Sequence, residues 1–377
     1  MMNKLLFFIL ILWLGFSIFA GSPVTVAHNT LKEINACMGK VILTPVRTWG
    51  GDDEQDEHKF FKYPWDLIAD KNGLIYICVY GAHQIQVFDG TGKYIRTIGR
   101  QGNGPTDLLN PNGLSWNLQG NIVVSDSSNR RIQFLTPEGK YAGGFKCNKT
   151  LIQKMYYAHR SDEILIYSFN HTFSSGKLID VYDKKGNLIR SIGKYVSDKK
   201  DFEKAEHVNF VLDENDNIYT SYSGTPYLLV FSYAGNIKTL ITYETPFESR
   251  RVFMDQSGKG IEIQGNKLIR STYGLAVDTA ERIFIVCATR NLTEKEKKES
   301  LSGSIAGKGK AVELYVPPVE DEHTDMYKLI VFNPSGKVIA AAQLNNYCDK
   351  IVVHKDRLFI IDTMKSNAIY EYKMTFK

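Results

Sequence analysis

Along most of the chain, short runs rich in apolar and β-forming residues are separated by turns that carry Asp, Asn or Gly. Leu74 to Val79, Ile122 to Ser125, Ile218 to Ser221, Ile283 to Val286 and Leu358 to Ile361 form one set of such runs. A second set follows, alternating apolar and polar in its first three members: Ile85-Gln86-Val87-Phe88, Ile132-Gln133-Phe134-Leu135, Ile179-Asp180-Val181-Tyr182, Leu228 to Phe231, Leu329 to Phe332 and Ile369 to Tyr372. Period-two alternation between turn residues predicts short β-strands. The turns are of two kinds, Asp70-Lys71-Asn72-Gly73 leading into the first set and Asp89-Gly90-Thr91-Gly92-Lys93 leaving the second. Glycine supplies the positive φ such turns demand.

These strands keep phase. Pro64 and Pro111 lie 47 residues apart, as do Gly73 and Gly120, Gln86 and Gln133, and Gly92 and Gly139; Gly186 follows after another 47 and Gly235 after 49. Short strands repeated at this interval describe the blades of a propeller. Six segments of the second set predict an all-β fold, a six-bladed β-propeller of four-stranded antiparallel blades over residues 41–377. Insertions within 244–272 and 290–326 absorb the surplus length, and a degenerate seventh blade inside 244–272 is the competing count. The sixth unit runs out after its third strand, whereas a propeller needs its ring closed against exposed edges. Val46-Arg47-Thr48-Trp49-Gly50 matches Ile95-Arg96-Thr97-Ile98-Gly99, the outer strand before the second unit. An N-terminal strand near residues 41–50 is therefore expected to close the last blade.

Composition agrees with strands: Tyr and Phe number 21 and 20, and 43% of residues are hydrophobic. A net charge of +5, scattered along the chain, argues against a nucleic-acid partner. Before the repeats, Met1-Met2-Asn3-Lys4 and the uncharged run Leu5 to Ala20 read as a secretory signal peptide, with a cut after Ala20 or after Ala27. An uncleaved anchor tethering the protein to the membrane is the alternative. Either way the body, residues 28–40 as a linker and then the propeller, is expected outside the cytoplasm. Cys37, Cys78, Cys147, Cys287 and Cys348 show no CxxC spacing; one disulfide, Cys37 with Cys348, is the pairing considered, and an odd count leaves a free thiol.

The proline-led strand, the Asp/Asn-Gly turn and then Val124-Ser125-Asp126-Ser127-Ser128-Asn129-Arg130-Arg131-Ile132-Gln133-Phe134 resemble an NHL repeat. Gly99-Arg100-Gln101-Gly102-Asn103-Gly104-Pro105, followed by Pro111, resembles the linker between NHL blades. The likeness is sharp in the first two units and eroded in the fifth, and it is closest to exported bacterial six-bladed propellers. It implies a range of roles. Some NHL propellers bind RNA or protein beside ubiquitin-ligase modules, but this chain has no RING or B-box zinc pattern. The amidating lyases of the group use histidines around zinc, and gluconolactonase-like propellers use Glu, Asn and Asp around calcium.

The eight histidines do not fall at matched inner positions of several blades, as three convergent zinc ligands would require. His83, His159, His207 and His354 divide between opposite faces, and only His171 is expected to share a rim with His83. Asp66, Asn112 and Asn209 begin first strands and are the calcium candidates, with turn capping as their ordinary role. No nucleophile elbow, HExxH or P-loop occurs. Propellers bind on the rim made by inter-blade linkers and second-to-third-strand loops, where sequence varies over a rigid ring. There fall Tyr80, His83, Arg100, Asp126, Arg130, His171, Tyr222 and Arg290, the candidate ligand-binding residues. Asp126 and Asp362 are expected to bond their own loops, and Arg130 and Arg131 to be solvated or paired within the loop. The 290–326 insertion leaves the same rim as an arm or a tolerated loop. Asn148-Lys149-Thr150, Asn170-His171-Thr172 and Asn291-Leu292-Thr293 fit the glycosylation triplet. The reading is a monomeric, extracytoplasmic binding or scaffold propeller that recognises a protein or glycan, with no cofactor, metal or catalytic residue assigned. The alternative is a propeller hydrolase or lyase working at the channel mouth on a small sugar or lactone.

Overall fold

The computed structural model of the protein describes residues 24–50, 61–147, 152–168, 177–194, 208–222, 226–245, 251–254, 261–264, 272–288, 327–363 and 366–377. It shows six blades, each an antiparallel sheet of inner, second, third and outer strands. Blade one is Pro64–Ala69, Ile75–Val79, Gln84–Phe88 and Tyr94–Ile98; blade two is Pro111–Trp116, Ile122–Asp126, Arg131–Leu135 and Tyr141–Lys146. Blade three is Ile152–Ala158, Glu163–Ser168, Lys177–Tyr182 and Leu188–Lys194; blade four is Val208–Leu212, Ile218–Tyr222, Tyr227–Phe231 and Ile237–Tyr243. Blade five is Thr272–Val277, Ile283–Ala288, Tyr327–Phe332 and Val338–Leu344. Blade six is Lys350–His354, Arg357–Asp362 and Ala368–Phe376, with the N-terminal strand Val41–Gly50 as its outer strand.

One side-chain device makes the turn after the inner strand. Asp70 Oδ1 accepts from the backbone amides of Asn72 and Leu74, each at 2.8 Å. Asn117, Asp213 and Asp278 repeat this at the same place in blades two, four and five. Asp89 and Asp183 do the same between third and outer strands. The carboxylate satisfies amides that a tight turn leaves unpaired, which fixes each hairpin from within five residues of sequence.

The apolar faces meet between blades. Six buried clusters exist among the described residues, one at each junction of the ring. Blades one and two share Tyr76, Val87, Leu114 and Val124; blades six and one share Trp49, Ile77, Phe88, Phe359 and Ile361. The inner strands touch in succession around the ring, blade six returning to blade one.

Closure is made by Val41–Gly50 running antiparallel to Ala368–Phe376, from Val41 opposite Phe376 to Gly50 opposite Ala368. Trp49 is buried edge-on against Phe88, with ring centroids 5.3 Å apart. Its indole N–H donates to Glu371 at 3.0 Å. Glu371 is 2% exposed and also pairs with Arg47 at 3.0 Å and Arg357 at 2.7 Å. One buried carboxylate thus ties the closing strand Val41–Gly50 to the last two strands of the chain.

Three expectations need correction. Residues 28–40 are not a linker: β1 (Thr25–Asn29) adds in parallel to the outer strand of blade four, and α1 (Leu31–Ala36) follows under a Thr30/Glu33 capping box. Gly39 then donates to Ala341 O in blade five before β2 (Val41–Gly50) begins. The segment straps blades four, five and six on their outer edges, and it covers strand edges that water would otherwise reach. Second, Cys37 and Cys348 are not paired; all five cysteines are free and buried. Cys37 sits on the outside of blade five beside Val338, whereas Cys348 lies at the inner end of the next linker, so the two cannot meet. Third, within 244–272 the described residues hold a two-stranded hairpin, Arg251–Met254 with Ile261–Gln264, and no seventh blade. Residues 1–23 of the expected leader, the three glycosylation triplets, His207 and the 290–326 arm lie outside the described residues.

Candidate functional site

Strand alternation puts the inter-blade linkers, the starts of the inner strands and the second-to-third-strand loops on one face. The predicted rim residues sit there with unequal freedom. Asp126 is fully buried and belongs to its loop: it accepts from Leu109 N at 2.7 Å, Asn129 Nδ2 at 2.9 Å, Arg131 Nε at 2.7 Å and Gln133 Nε2 at 3.1 Å. Arg131 goes on to donate to the carbonyls of Asn103, Gly104 and Asp107, so this network shapes the 99–110 linker. Tyr222 is also buried, its ring 4.9 Å from that of Tyr227. Both are removed from ligand contact because their side chains point into packed structure.

His83 takes a left-handed backbone with φ 58° and accepts from Asn110 N at 3.0 Å through Nδ1. Arg100 pairs with Asp107 at 2.9 Å while its side chain stays 85% exposed. That guanidinium, first, holds the Asp107 carboxyl below its ordinary range, and the Gly104 amide adds to it. Arg130 is exposed, at φ 51°, and finds no carboxylate among the described residues. Tyr80 is half-buried with its ring tilted over Trp65, centroids 5.2 Å apart. His171 and Arg290 lie outside the described residues. The structure therefore brings Tyr80, His83, Arg100 and Arg130 to one accessible stretch, on blades one and two and the linker between them.

At the axis of this face the inner strands present one residue each at a matched register position. Asp66, Gly113, Lys154, Asn209, Gly274 and Lys350 pair with Cys78, Ser125, Tyr167, Ser221, Val286 and Ile361, near the ends of the second strands. Asp66 is 5% exposed; it accepts from Leu67 N at 2.8 Å, from Leu114 N of blade two at 3.1 Å, and from the Lys350 ammonium of blade six. Asn112 donates to Ile152 O of blade three, and Ser125 donates to Asn112 at 2.9 Å. These polar groups stitch neighbouring inner strands together. Two of the three calcium candidates are thus committed, Asp66 to a lysine and Asn112 to a carbonyl, and among the described residues no three His, Cys, Asp or Glu side chains gather to hold a metal.

Lys154 is the exception in the ring. Its ammonium has no hydrogen-bond or ion-pair partner among the described residues. Burial chiefly, and then the charge of Lys350, bring its pKa down from 10.5 to about 7, with Asp66 and Cys348 opposing. Lys154 stands on blade three, and Lys350 with Cys348 on the opposite side of the ring. Interaction between them requires the Lys154 side chain to reach into the axial mouth, which also explains why it keeps some exposure while protein surrounds it. Two residues further along the same side of the strand comes Tyr156, whose hydroxyl burial raises well above the usual tyrosine value. Lysines 154 and 350 were not among the predicted site residues. Lys154 falls in Ile152-Gln153-Lys154-Met155-Tyr156, where a charge inside an inner strand was the available signal.

Comparison with solved structures finds the same architecture at low identity. A DUF4221-family protein from Bacteroides vulgatus matches with TM-score 0.58 and 11% identity, over 89% of this chain and 98% of that one. A Bacteroides fragilis protein named as exported matches with TM-score 0.57 and 9% identity, over 94% and 99%. A streptogramin B lyase matches with TM-score 0.50 and 11% identity, over 89% and 98%. At such identities the likeness is one of fold. No curated protein matches by sequence. The family model DUF5128, 6-bladed beta-propeller, matches residues 61–296, more than half of the chain. With six blades, a ring closed by the N-terminal strand and that match, the chain belongs to the DUF5128 family of six-bladed β-propellers.

Proposed function

We propose that this protein is an exported, non-enzymatic binding propeller that takes a glycan or protein ligand on its linker face, around the axial mouth. The observation that carries the reading is the chemistry of that face. An accessible guanidinium with no carboxylate partner among the described residues, Arg130, shares the face with a half-exposed aromatic pair on the adjacent blade, Trp65 and Tyr80, on a frame that buried networks hold rigid. Arginine and aromatic side chains on a preorganised surface are the groups that dominate recognition. Export is supported by the basic start and apolar run at residues 1–20 and by the neighbour named as exported. NHL-type linkers and loops fit the same placement of the ligand.

The test is binding to a glycan array and to envelope extract, comparing the parent protein with Trp65→Ala, Tyr80→Ala and Arg130→Ala. Leu118→Asp, in a turn on the opposite face, is the control. Loss of at least tenfold confined to the three linker-face variants supports the reading. Equal loss in the control, or none in any variant, overturns it. A lyase or hydrolase at the same mouth is the second reading, favoured by the amine of Lys154 titrating near neutrality, where a general base works best. Turnover of a sugar lactone by the parent and not by Lys154→Met would put it first.

A further inference from the structure

We infer that the axial mouth is a subsite for a single carboxylate on a sugar, with Lys154 as the cation that receives it. The inference rests on the binding reading above and names the chemistry of its ligand.

The charge balance at the mouth selects the group. Asp66 and Lys350 neutralise each other across the junction of blades one and six, and the Asp66 carboxylate is further held by the amides of Leu67 and Leu114. That leaves Lys154 as the one uncompensated cation among the described mouth residues. A monoanion balances it, whereas a phosphate dianion brings a second negative charge toward Asp66 with nothing to meet it. A neutral ligand leaves the ammonium as it is, which is costly for a charge surrounded by protein.

The sugar part follows from what borders the mouth. Trp65 is the extra residue of the bulge next to Asp66, and its half-exposed ring leans on Tyr80. An indole face beside the axis suits the C–H face of a pyranose, and the carboxylate of a uronic acid then projects toward Lys154.

The groups whose charge acts on the Lys154 amine are Lys350 and Cys348 from the blade-six side and Asp66 from blade one. With the free lysine titrating at about 7, an anion binds the protonated form and draws a proton into the site. Affinity for a carboxylate should then be about tenfold weaker at pH 8 than at pH 6, following the protonated fraction.

The experiment is a ligand-observed NMR titration of the purified protein with D-glucuronate, D-glucose, D-glucose 6-phosphate and acetate. D-glucuronate is expected to bind more tightly than the other three, to weaken about tenfold between pH 6 and pH 8, and to lose at least tenfold in Lys154→Met with Lys154→Arg retaining binding. Trp65→Ala is expected to weaken glucuronate and leave acetate unchanged. A Lys154→Met variant that binds glucuronate like the parent overturns the inference, as does tighter binding of the phosphate ester. If glucuronate fails while the linker-face variants still lose array or envelope ligands, the carboxylate subsite is wrong and the binding face stands. If both fail, both readings fall.

Discussion

At the scale of single residues, Lys154 makes a stability prediction separate from any ligand. Its folded pKa of about 7 lies below the 10.5 of a free lysine, so between these values the unfolded chain holds the extra proton and stability rises with pH. Below pH 7 both states are protonated, and the folded state carries the full penalty of a buried cation. Lys154→Met should therefore be more stable than the parent at pH 6, with the gain fading as pH rises from about 7 toward 10.5. Urea unfolding across that range reads it directly, and a gain that grows with pH would contradict it. Glu371 behaves oppositely. It neutralises Arg47 and Arg357 and accepts from Trp49, so Glu371→Gln leaves two part-buried cations without their carboxylate and should lose about 3 kcal/mol in the same assay. A change below about 0.5 kcal/mol, the size of an ordinary surface substitution, would remove the carboxylate from its place as the clasp of the ring.

Among elements, the strap β1–α1 binds blades that the repeat alone leaves apart. Asn29 is fully buried, donating to Gly336 O at 2.9 Å and Thr242 O at 3.2 Å and accepting from Val338 N at 2.8 Å. It thereby joins blade four to blade five. Asn29→Ala removes three buried hydrogen bonds to the backbone of blades four and five, and a loss of about 2 kcal/mol in urea unfolding is expected. β1 also bears on processing of the proposed leader. A cut after Ala27 would remove Thr25, Val26 and Ala27 from the paired strand, with Ala27 itself packed against Ile241 and Ile330. N-terminal sequencing of exported protein should accordingly begin at Gly21, and a start at His28 would contradict the strap. The strap was hidden in the sequence for a physical reason. Its strand pairs in parallel with a segment more than 200 residues away, and α1 is six residues long, too short to show a helical period. The turns were legible because Asp70, Asn117 and Asp213 act on amides within four residues of themselves. The mouth was legible in part: Asp66 and Asn112 were visible as residues opening inner strands. The influence of the Lys350 charge on Lys154 depends on opposite sides of a ring, which no local pattern reports.

For the whole molecule, the six junction clusters make each blade depend on two neighbours, so the ring is stable only when closed. Similarity between Val46–Gly50 and Ile95–Gly99 disclosed the closing strand because both fill the outer position of a blade, and Trp49 occupies the place of Ile98. A Cβ on Gly50, at φ 75°, would collide with the Phe61 ring and the Asn367 carbonyl, so Gly50→Ala should loosen the clasp by more than about 1 kcal/mol of unfolding free energy. The axial mouth exists only while that clasp holds, because Lys350 on blade six and Asp66 on blade one are paired across the seam it closes. Native-state hydrogen exchange of the amides in Val41–Gly50 and Ala368–Phe376 tests this most directly. The closed ring predicts that they exchange only with global unfolding, at the same free energy as the inner strands of blades one and six. Exchange of Val41–Gly50 at a markedly lower free energy, with the inner strands still protected, would show a ring that stands without its clasp and would contradict the account.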